Sequence, residues 1–218
     1  MITLYGVYRS RASRNIWLLE EIALPFRHVP VIQVYRLADP DAADAPLHTR
    51  SPEFLKLNPN ARVPALQDGD LVLYESLAIN LYLARQYGGV LGPQSPAEDG
   101  EMGMWALWAA TEVEPHSLQV LLNRVSKPPQ DRDAAAADAA VAALRAPVAV
   151  LEQALAKDGH LVGGRFTVAD INVSEVLRYA LAAPELFADA PATRAWIAAC
   201  HARPAFRKMA EAREKEPA

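Results

Sequence analysis

The sequence has almost none of the residues and motifs that hold disulfides, metals and nucleotides. Cys200 is the only cysteine in 218 residues, which excludes an internal disulfide, a C-x-x-C redox pair and a thiolate-based metal cluster. The five histidines are scattered without an H-E-x-x-H spacing, and the sequence contains neither G-x-G-x-x-G nor a P-loop. We therefore expect no bound metal and no nucleotide site of these types.

An excess of positive charge and a long uninterrupted apolar run are also missing. The formal net charge is −4, which argues against nucleic acid or an anionic membrane as a partner. No run approaches the length of a membrane span, and the chain starts directly in a strand pattern, Met1 to Tyr5, without a signal peptide. These features predict a cytoplasmic protein.

The segment from Asn58 to Tyr87 carries most of the chemical information. Val63-Pro64 opens an apolar run, and a proline is tolerated at the first residue of a strand because its missing N–H is not needed there. If this bond is cis, the N–H and C=O of Val63 turn away from the sheet and suit an extended peptide. Asp68-Gly69 then predicts a hairpin turn, and residues 71–74 predict the returning strand.

A helix is predicted directly after this hairpin. Glu75-Ser76 precedes an apolar-periodic segment that starts at Leu77. The N–H groups of a helix start and the Ser76 hydroxyl suit a carboxylate, whereas the Glu75 carboxylate suits an ammonium group. A ligand with an α-amino acid end and a short peptide backbone would satisfy the strand edge and the helix start together.

V-P-A-L, the D-G hairpin and E-S-x-A-I at this spacing resemble the glutathione site of the glutathione S-transferase family. The resemblance covers nearly the whole chain. It implies an α+β, thioredoxin-like N-terminal domain (1–86), a linker (87–100) and an all-α C-terminal domain (101–218) that contributes the electrophile pocket. It also implies a homodimeric transferase without a permanently bound cofactor, which activates the thiol of reduced glutathione, its co-substrate, for attack on a small apolar electrophile.

The element pattern agrees with this division. Residues 1–86 predict the order β-α-β-α-β-β-α, in which a strand over 26–32 lies at a sheet edge because Pro30 cannot donate to a ladder. The long loop 33–50 is expected to border the site. Strand signals then largely vanish, and kinks or breaks are expected at Pro115 and Pro147 in the helices that follow.

Two features near the C-terminus have structural interpretations. Thr167 and Asp170 predict a capping box. The surrounding G-R-F-T-x-A-D-I sequence resembles the buried helix start in the C-terminal domain of the same family, where its role is folding. The charged tail, residues 214–218, is expected to fray.

The thiol needs a hydrogen-bond donor. A thiol pKa of about 8.5 leaves only a few per cent thiolate at neutral pH, and lowering it by about two units requires about 2.7 kcal/mol. One hydroxyl and a helix N-terminus supply that together. In serine-type members of the family the activating serine lies four residues before a basic residue in the first helix, and Ser10 with Arg14 fits this spacing. Ser13 and Tyr8 are the alternatives.

Further residues are candidates for the glycine carboxylate and for the electrophile. Arg62 stands before V-P, where related proteins bind the glycine carboxylate, and His48 is a second candidate for that group. Trp108, Glu112 and Arg11 are candidates for the electrophile pocket.

Two other functions stay open, namely a non-catalytic glutathione-binding or regulatory module and a glutathione-dependent peroxidase. The electrophile itself leaves no motif in the sequence.

Overall fold

The computed structural model describes residues 1–217. They form two compact units, Met1–Gly89 together with the segment from Pro204 onward, and Val90–Arg203. The helices are α1 (Ala12–Glu21), α2 (Pro52–Leu55), α3 (Ser76–Tyr87), α4 (Pro96–Trp108), α5 (Glu114–Leu121), α6 (Ala134–Asp158), α7 (Val168–Leu177), α8 (Pro191–Ala202) and α9 (Pro204–Lys215).

The first unit is built on a four-stranded sheet of β1 (Ile2–Tyr5), β2 (Phe26–Val29), β3 (Ala65–Asp68) and β4 (Leu71–Tyr74). The order is β2-β1-β3-β4, with β2 parallel to β1 and the other pairs antiparallel. The predicted edge position of β2 is confirmed. The strand ends at Val29, before Pro30, and is therefore shorter than predicted; Ile32 pairs instead with His48 in an isolated bridge.

The last helix belongs to the first unit. The ring of Phe206 meets Trp17 edge to face with centroids 5.0 Å apart, and Lys208 pairs with Glu20 at 2.6 Å. The sequence had suggested 101–218 as one helical part, but these contacts group α9 with α1. The segment 87–100 also holds regular structure, a 3₁₀ turn at Gly89–Leu91 and the start of α4. The boundaries of independently folding domains stay a prediction.

The second unit is helical. Two π turns, Ala109–Val113 and Leu122–Ser126, flank α5, and Pro115 lies in the first turn of that helix. The irregularity predicted at Pro115 is thus found as the π turn that ends at Val113, two residues before the proline. The break expected at Pro147 is absent, because α6 runs through that residue without interruption and ends at Gly159, which has a φ of 69°.

The long helix α6 requires a correction. By length and composition it is apolar enough to cross a membrane, so the expectation that no run approaches that length is wrong for this segment. A core helix meets the same test. Its buried side chains lie inside the second unit: Ala137, Ala140, Val141, Leu144, Val148, Leu151 and Leu155.

The capping box at the start of α7 is confirmed. Thr167 and Asp170 bond each other's backbone N–H reciprocally, and every residue of α7 is buried. The Asp170 carboxylate also accepts from the indole N–H of Trp196 at 2.8 Å and from the N–H of Leu161 at 3.3 Å. Asp170 therefore ties the start of α7 to two other segments of the helical unit.

Candidate functional site

A short loop fixes the strand edge at Val63-Pro64. The side chain of Asn58 donates to the carbonyl of Arg62 at 2.7 Å and accepts from the N–H of Asn60 at 3.0 Å. The Val63–Pro64 peptide bond is cis, and Pro64 is buried immediately before β3. The Asn58 side chain thus holds the residues directly before the Val63-Pro64 edge.

Glu75 and Ser76 begin α3 with an unusual backbone. Glu75 has φ 74° and ψ 105°, a positive φ that a side chain with a Cβ adopts at a cost. Its side chain is exposed, whereas Ser76 is only 4% exposed. A strained, exposed acid beside a buried hydroxyl is an arrangement found at ligand-binding sites.

A buried polar network lies behind Ser76. Arg14 is 1% exposed and donates to the Ser76 hydroxyl at 3.1 Å. The Asn15 amide donates to the Ser76 carbonyl at 2.8 Å and to Asn80 at 2.7 Å, and Asn80 donates back to the carbonyl of Arg14 at 3.2 Å. The network joins α1 to α3 and fixes Ser76. From the sequence, Arg14 was notable only for its spacing from Ser10, and nothing indicated that its side chain is buried.

The Ser10 hydroxyl is hydrogen-bonded within the loop that leads into α1, whose N-cap is Arg11. Its hydroxyl donates to the carbonyl of Val7 at 2.7 Å and accepts from the N–H of Ala12 at 3.0 Å, and the side chain is half-buried. Gly6, with a φ of 146°, packs close by: a Cβ there would lie 3.7 Å from the Ser10 hydroxyl and 3.4 Å from the Cβ of Val63. The β1–α1 loop therefore carries Ser10 close to the Val63-Pro64 edge.

The two alternatives to Ser10 have different surroundings. Ser13 is fully buried within α1. Tyr8 is half-buried and its ring meets His28 edge to face with centroids 5.1 Å apart. Burial, followed by the charges of Glu20 and Glu216, raises the pKa of Tyr8, so its phenol stays protonated near neutral pH. Of the three hydroxyls, that of Ser13 is the least accessible to a ligand.

The two candidates for the glycine carboxylate also differ. Arg62 is exposed, beside the cis bond. His48 is buried; its Nδ1 accepts from the N–H of Arg50 at 3.1 Å, which makes Nε2 the donor to the Pro40 carbonyl at 3.1 Å. Both ring nitrogens of His48 are thus occupied within its own loop, and the geometry favours Arg62.

The candidates for the electrophile pocket fall in separate units. Arg11 is exposed at the start of α1 in the first unit. In the second unit, Trp108 is half-buried against Trp105 with centroids 5.1 Å apart, and Glu112 is exposed in a π turn. Such turns frequently occur at functional sites; the sequence signalled this one only through Pro115, two residues after its end.

The C-terminal tail differs from its expectation. Residues 214 and 215 extend α9, and the Glu216 carboxylate accepts the backbone N–H groups of Tyr8 and Arg9. The tail is thus held and not frayed over the described residues, and Ala218 lies outside them.

Within residues 1–217, no group of three or more His, Cys, Asp or Glu side chains is placed to hold a metal ion.

Together these features define a class: a thioredoxin-like unit with a proline-led strand edge, accompanied by a helical unit. Comparisons with known proteins narrow the class. The model of the glutathione S-transferase N-terminal domain matches residues 1–85, and that of the glutathione S-transferase C-terminal domain matches 113–204.

Individual relatives match over nearly the full length. Glutathione S-transferase GstB of Escherichia coli K12 is 33% identical over 213 residues, covering 96% of this chain and 97% of the relative. Glutathione S-transferase 1 of Triticum aestivum is 31% identical over 214 residues, covering 92% and 89%. The theta class glutathione S-transferase of Xanthomonas axonopodis pv. citri, solved with glutathione bound, matches at a TM-score of 0.80 with 30% identity over 95% of both chains. The chain belongs to the glutathione S-transferase family.

Proposed function

We propose that this glutathione S-transferase binds reduced glutathione along the Val63-Pro64 edge and the start of α3, and that Ser10 activates its thiol for attack on a small apolar electrophile. The observation that carries the proposal is the pairing of Glu75 and Ser76, an exposed acid with positive φ beside a buried hydroxyl held by Arg14. The Xanthomonas structure, solved with glutathione, supports the choice of ligand.

Each charged group of the tripeptide has a partner of opposite charge or a hydrogen-bonding partner. The γ-glutamyl carboxylate accepts from the Ser76 hydroxyl and the N–H groups that begin α3, and the ammonium group pairs with Glu75. The backbone of Val63 pairs with the cysteinyl residue as an added strand. Arg62 takes the glycine carboxylate, and His48 contributes by holding its loop in place.

The Ser10 hydroxyl can donate a hydrogen bond to the glutathione sulfur by rotation of its proton. Its proton, now donated to Val7, would turn to the thiolate, while the bond from the N–H of Ala12 to Oγ remains. Replacing a neutral hydrogen bond by a charged one gains about 1–1.5 kcal/mol, and the helix start adds about 0.3–1 kcal/mol. The thiol pKa is then lowered by about one to two units. No buried general base is required.

The thiolate then attacks the electrophile, and the leaving group departs with the displaced electron pair. Positioning of the two reactants supplies the rest of the rate enhancement. Within the second unit, Trp108 and Glu112 are the residues to which we assign contact with the electrophile. Arg11, in the first unit, stays a separate candidate. We further propose a cytoplasmic homodimer without a resident cofactor, following the resemblance to the family.

Titration calorimetry with reduced glutathione, together with a conjugation assay on a chloronitroarene, tests the proposal. We expect saturable binding and conjugate formation by the wild type, with binding weakened about tenfold in Ser76→Ala through loss of a hydrogen bond to a charged group. Binding without turnover would indicate the non-catalytic module. Turnover of an organic hydroperoxide alone would indicate the peroxidase. Absence of binding would reject the proposal.

A further inference from the structure

The end of the chain is bonded to the loop that carries Ser10. We call Arg213–Pro217 the C-terminal strap. One carboxylate oxygen of Glu216 accepts the N–H of Tyr8 at 2.9 Å, and the other accepts the N–H of Arg9 at 2.6 Å. Hydrogen bonds to an ionised acceptor are about twice as strong as neutral ones, so this two-oxygen contact dominates the strap.

Further contacts hold the strap in the same place. The Arg9 guanidinium donates to the carbonyls of Arg213 at 3.2 Å and Glu214 at 3.4 Å. Arg36 donates to the carbonyl of Pro217 at 2.7 Å. Upstream, α9 is anchored on α1 by the Phe206 and Lys208 contacts described above. The strap therefore connects a fixed helix to two loops of the same unit.

The direction of the Ser10 hydroxyl depends on this loop. Its proton acceptor is the carbonyl of Val7, directly before the two residues whose N–H groups Glu216 binds. At its other end the loop is fixed at Gly6, whose N–H donates to the carbonyl of Val29 at 3.0 Å and whose carbonyl bonds the His28 ring at 2.7 Å. The backbone of Tyr8 and Arg9, between this point and α1, is the part that the strap holds. If Glu216 released the loop, the orientation of Ser10 Oγ would vary even though α1 remained in place.

We propose that Glu216 is a positioning residue for thiol activation: the strap holds the Tyr8–Arg9 backbone so that Ser10 Oγ points to the glutathione sulfur. The inference rests on the proposed role of Ser10. The groups that bind the tripeptide ends, at Glu75, Ser76 and Arg62, lie outside the strapped loop. Release of the strap therefore lowers kcat and leaves the affinity for glutathione nearly unchanged.

The charges around the loop make the choice of control variant important. Besides Glu216, the groups near Tyr8 are Glu20 and Lys208, with Arg9 and Arg213 on the loop and the strap. Glu211 is an exposed acid of α9 and lies five positions before Glu216, which follows the end of that helix. Glu211→Gln removes one negative charge from α9, as Glu216→Gln does from the strap.

The test compares wild type, Glu216→Gln, Glu216→Ala and Glu211→Gln by three measurements: calorimetric affinity for glutathione, thiolate absorbance of the glutathione complex against pH, and hydrogen exchange of the Tyr8 and Arg9 amides. We expect faster exchange, a raised thiol pKa and a fall in kcat of at most about tenfold in both Glu216 variants, because the loss cannot exceed that of the Ser10 hydroxyl itself. Glutathione affinity stays within about twofold, and Glu211→Gln matches the wild type.

Other outcomes overturn the inference in distinguishable ways. Unchanged kcat and thiol pKa in the Glu216 variants, with an active wild type, reject the positioning role and leave the proposed function standing. A loss confined to glutathione affinity also rejects it. Unprotected Tyr8 and Arg9 amides in the wild type reject the strap itself. A wild type that does not bind glutathione rejects both the inference and the proposed function.

Discussion

The guanidinium of Arg14 donates to the hydroxyl of Ser76 at 3.1 Å and so joins the first turn of α1 to the first residue of α3. The Ser76 oxygen is engaged as an acceptor, which leaves its proton to be donated to a ligand carboxylate. The buried positive charge of Arg14 favours an anion at the same place. This contact is one of the hydrogen bonds that join α1 to α3, and under the proposed function it also serves glutathione binding.

Arg14→Met tests this dependence. The substitution keeps a long buried side chain but removes the donor and the charge. We expect the dissociation constant for glutathione to rise about tenfold, since a hydrogen bond of about 0.5–1.5 kcal/mol and the local charge are lost. Calorimetry measures the effect. Arg207→Met, at an exposed position of α9, is the matched control and leaves the affinity unchanged; an equal loss in both variants would contradict the assignment.

Glu75→Gly separates ligand binding from folding. Glycine adopts a φ of 74° without the cost that a Cβ brings, which offsets the added freedom of the unfolded chain. We expect the free energy of unfolding to stay within about 1 kcal/mol of wild type, whereas the glutathione affinity falls. An analogue without the α-amino group should bind both proteins equally well. A stability loss well above 1 kcal/mol, or an unchanged affinity for glutathione, would count against a role for Glu75 in binding.

Asp170→Ala should destabilise the helical unit severely. The carboxylate is fully buried and accepts from the N–H groups of Thr167 and Leu161 and from the indole of Trp196, all of which would lose a partner. The expected loss is about 3 kcal/mol or more in urea unfolding, because each buried donor left unpaired costs about 1–3 kcal/mol. Asp189→Ala, at an exposed position, is the control. Equal stability of the two variants would show that the capping box contributes little.

An acid-sensitive ion pair joins Glu98 and Arg165. The Arg165 guanidinium, followed by the N–H of Gln94, lowers the pKa of Glu98 from 4.5 to about 2. Because the folded-state pKa lies below the unfolded one, the stabilisation is complete above about pH 4.5 and is lost as pH falls towards 2. Glu98→Gln should therefore flatten the decline of the urea midpoint over this window. An unchanged pH dependence in the variant would show that the pair does not contribute.

Much of the fold was predictable because its signals are local. The Asp68-Gly69 turn and the Thr167 cap each depend on neighbouring residues in the sequence, and both are found where they were expected. Alternating and helical periodicities placed the strands and helices for the same reason. Strand β2 ended early because Pro30 interrupts it.

The features that were missed depend on contacts between distant parts of the chain. Burial of Arg14 requires α3 to cover it, and the contact of Glu216 with Tyr8 spans 208 residues. The two ring nitrogens of His48, a candidate for the glycine carboxylate, bond to Pro40 and Arg50, which sequence spacing does not reveal. Side-chain orientation in long loops is set by such contacts and has no periodic signal.

Donation of a hydrogen bond from Ser10 to the glutathione sulfur is tested most directly by a pH titration of thiolate absorbance in the glutathione complexes of wild type and Ser10→Ala. We predict that the thiol pKa rises by about one unit in the variant, since one charged hydrogen bond is lost, with kcat at neutral pH falling about tenfold and glutathione affinity within about threefold. The same thiol pKa and turnover in both proteins would contradict the claim and move the assignment to Ser13 or Tyr8.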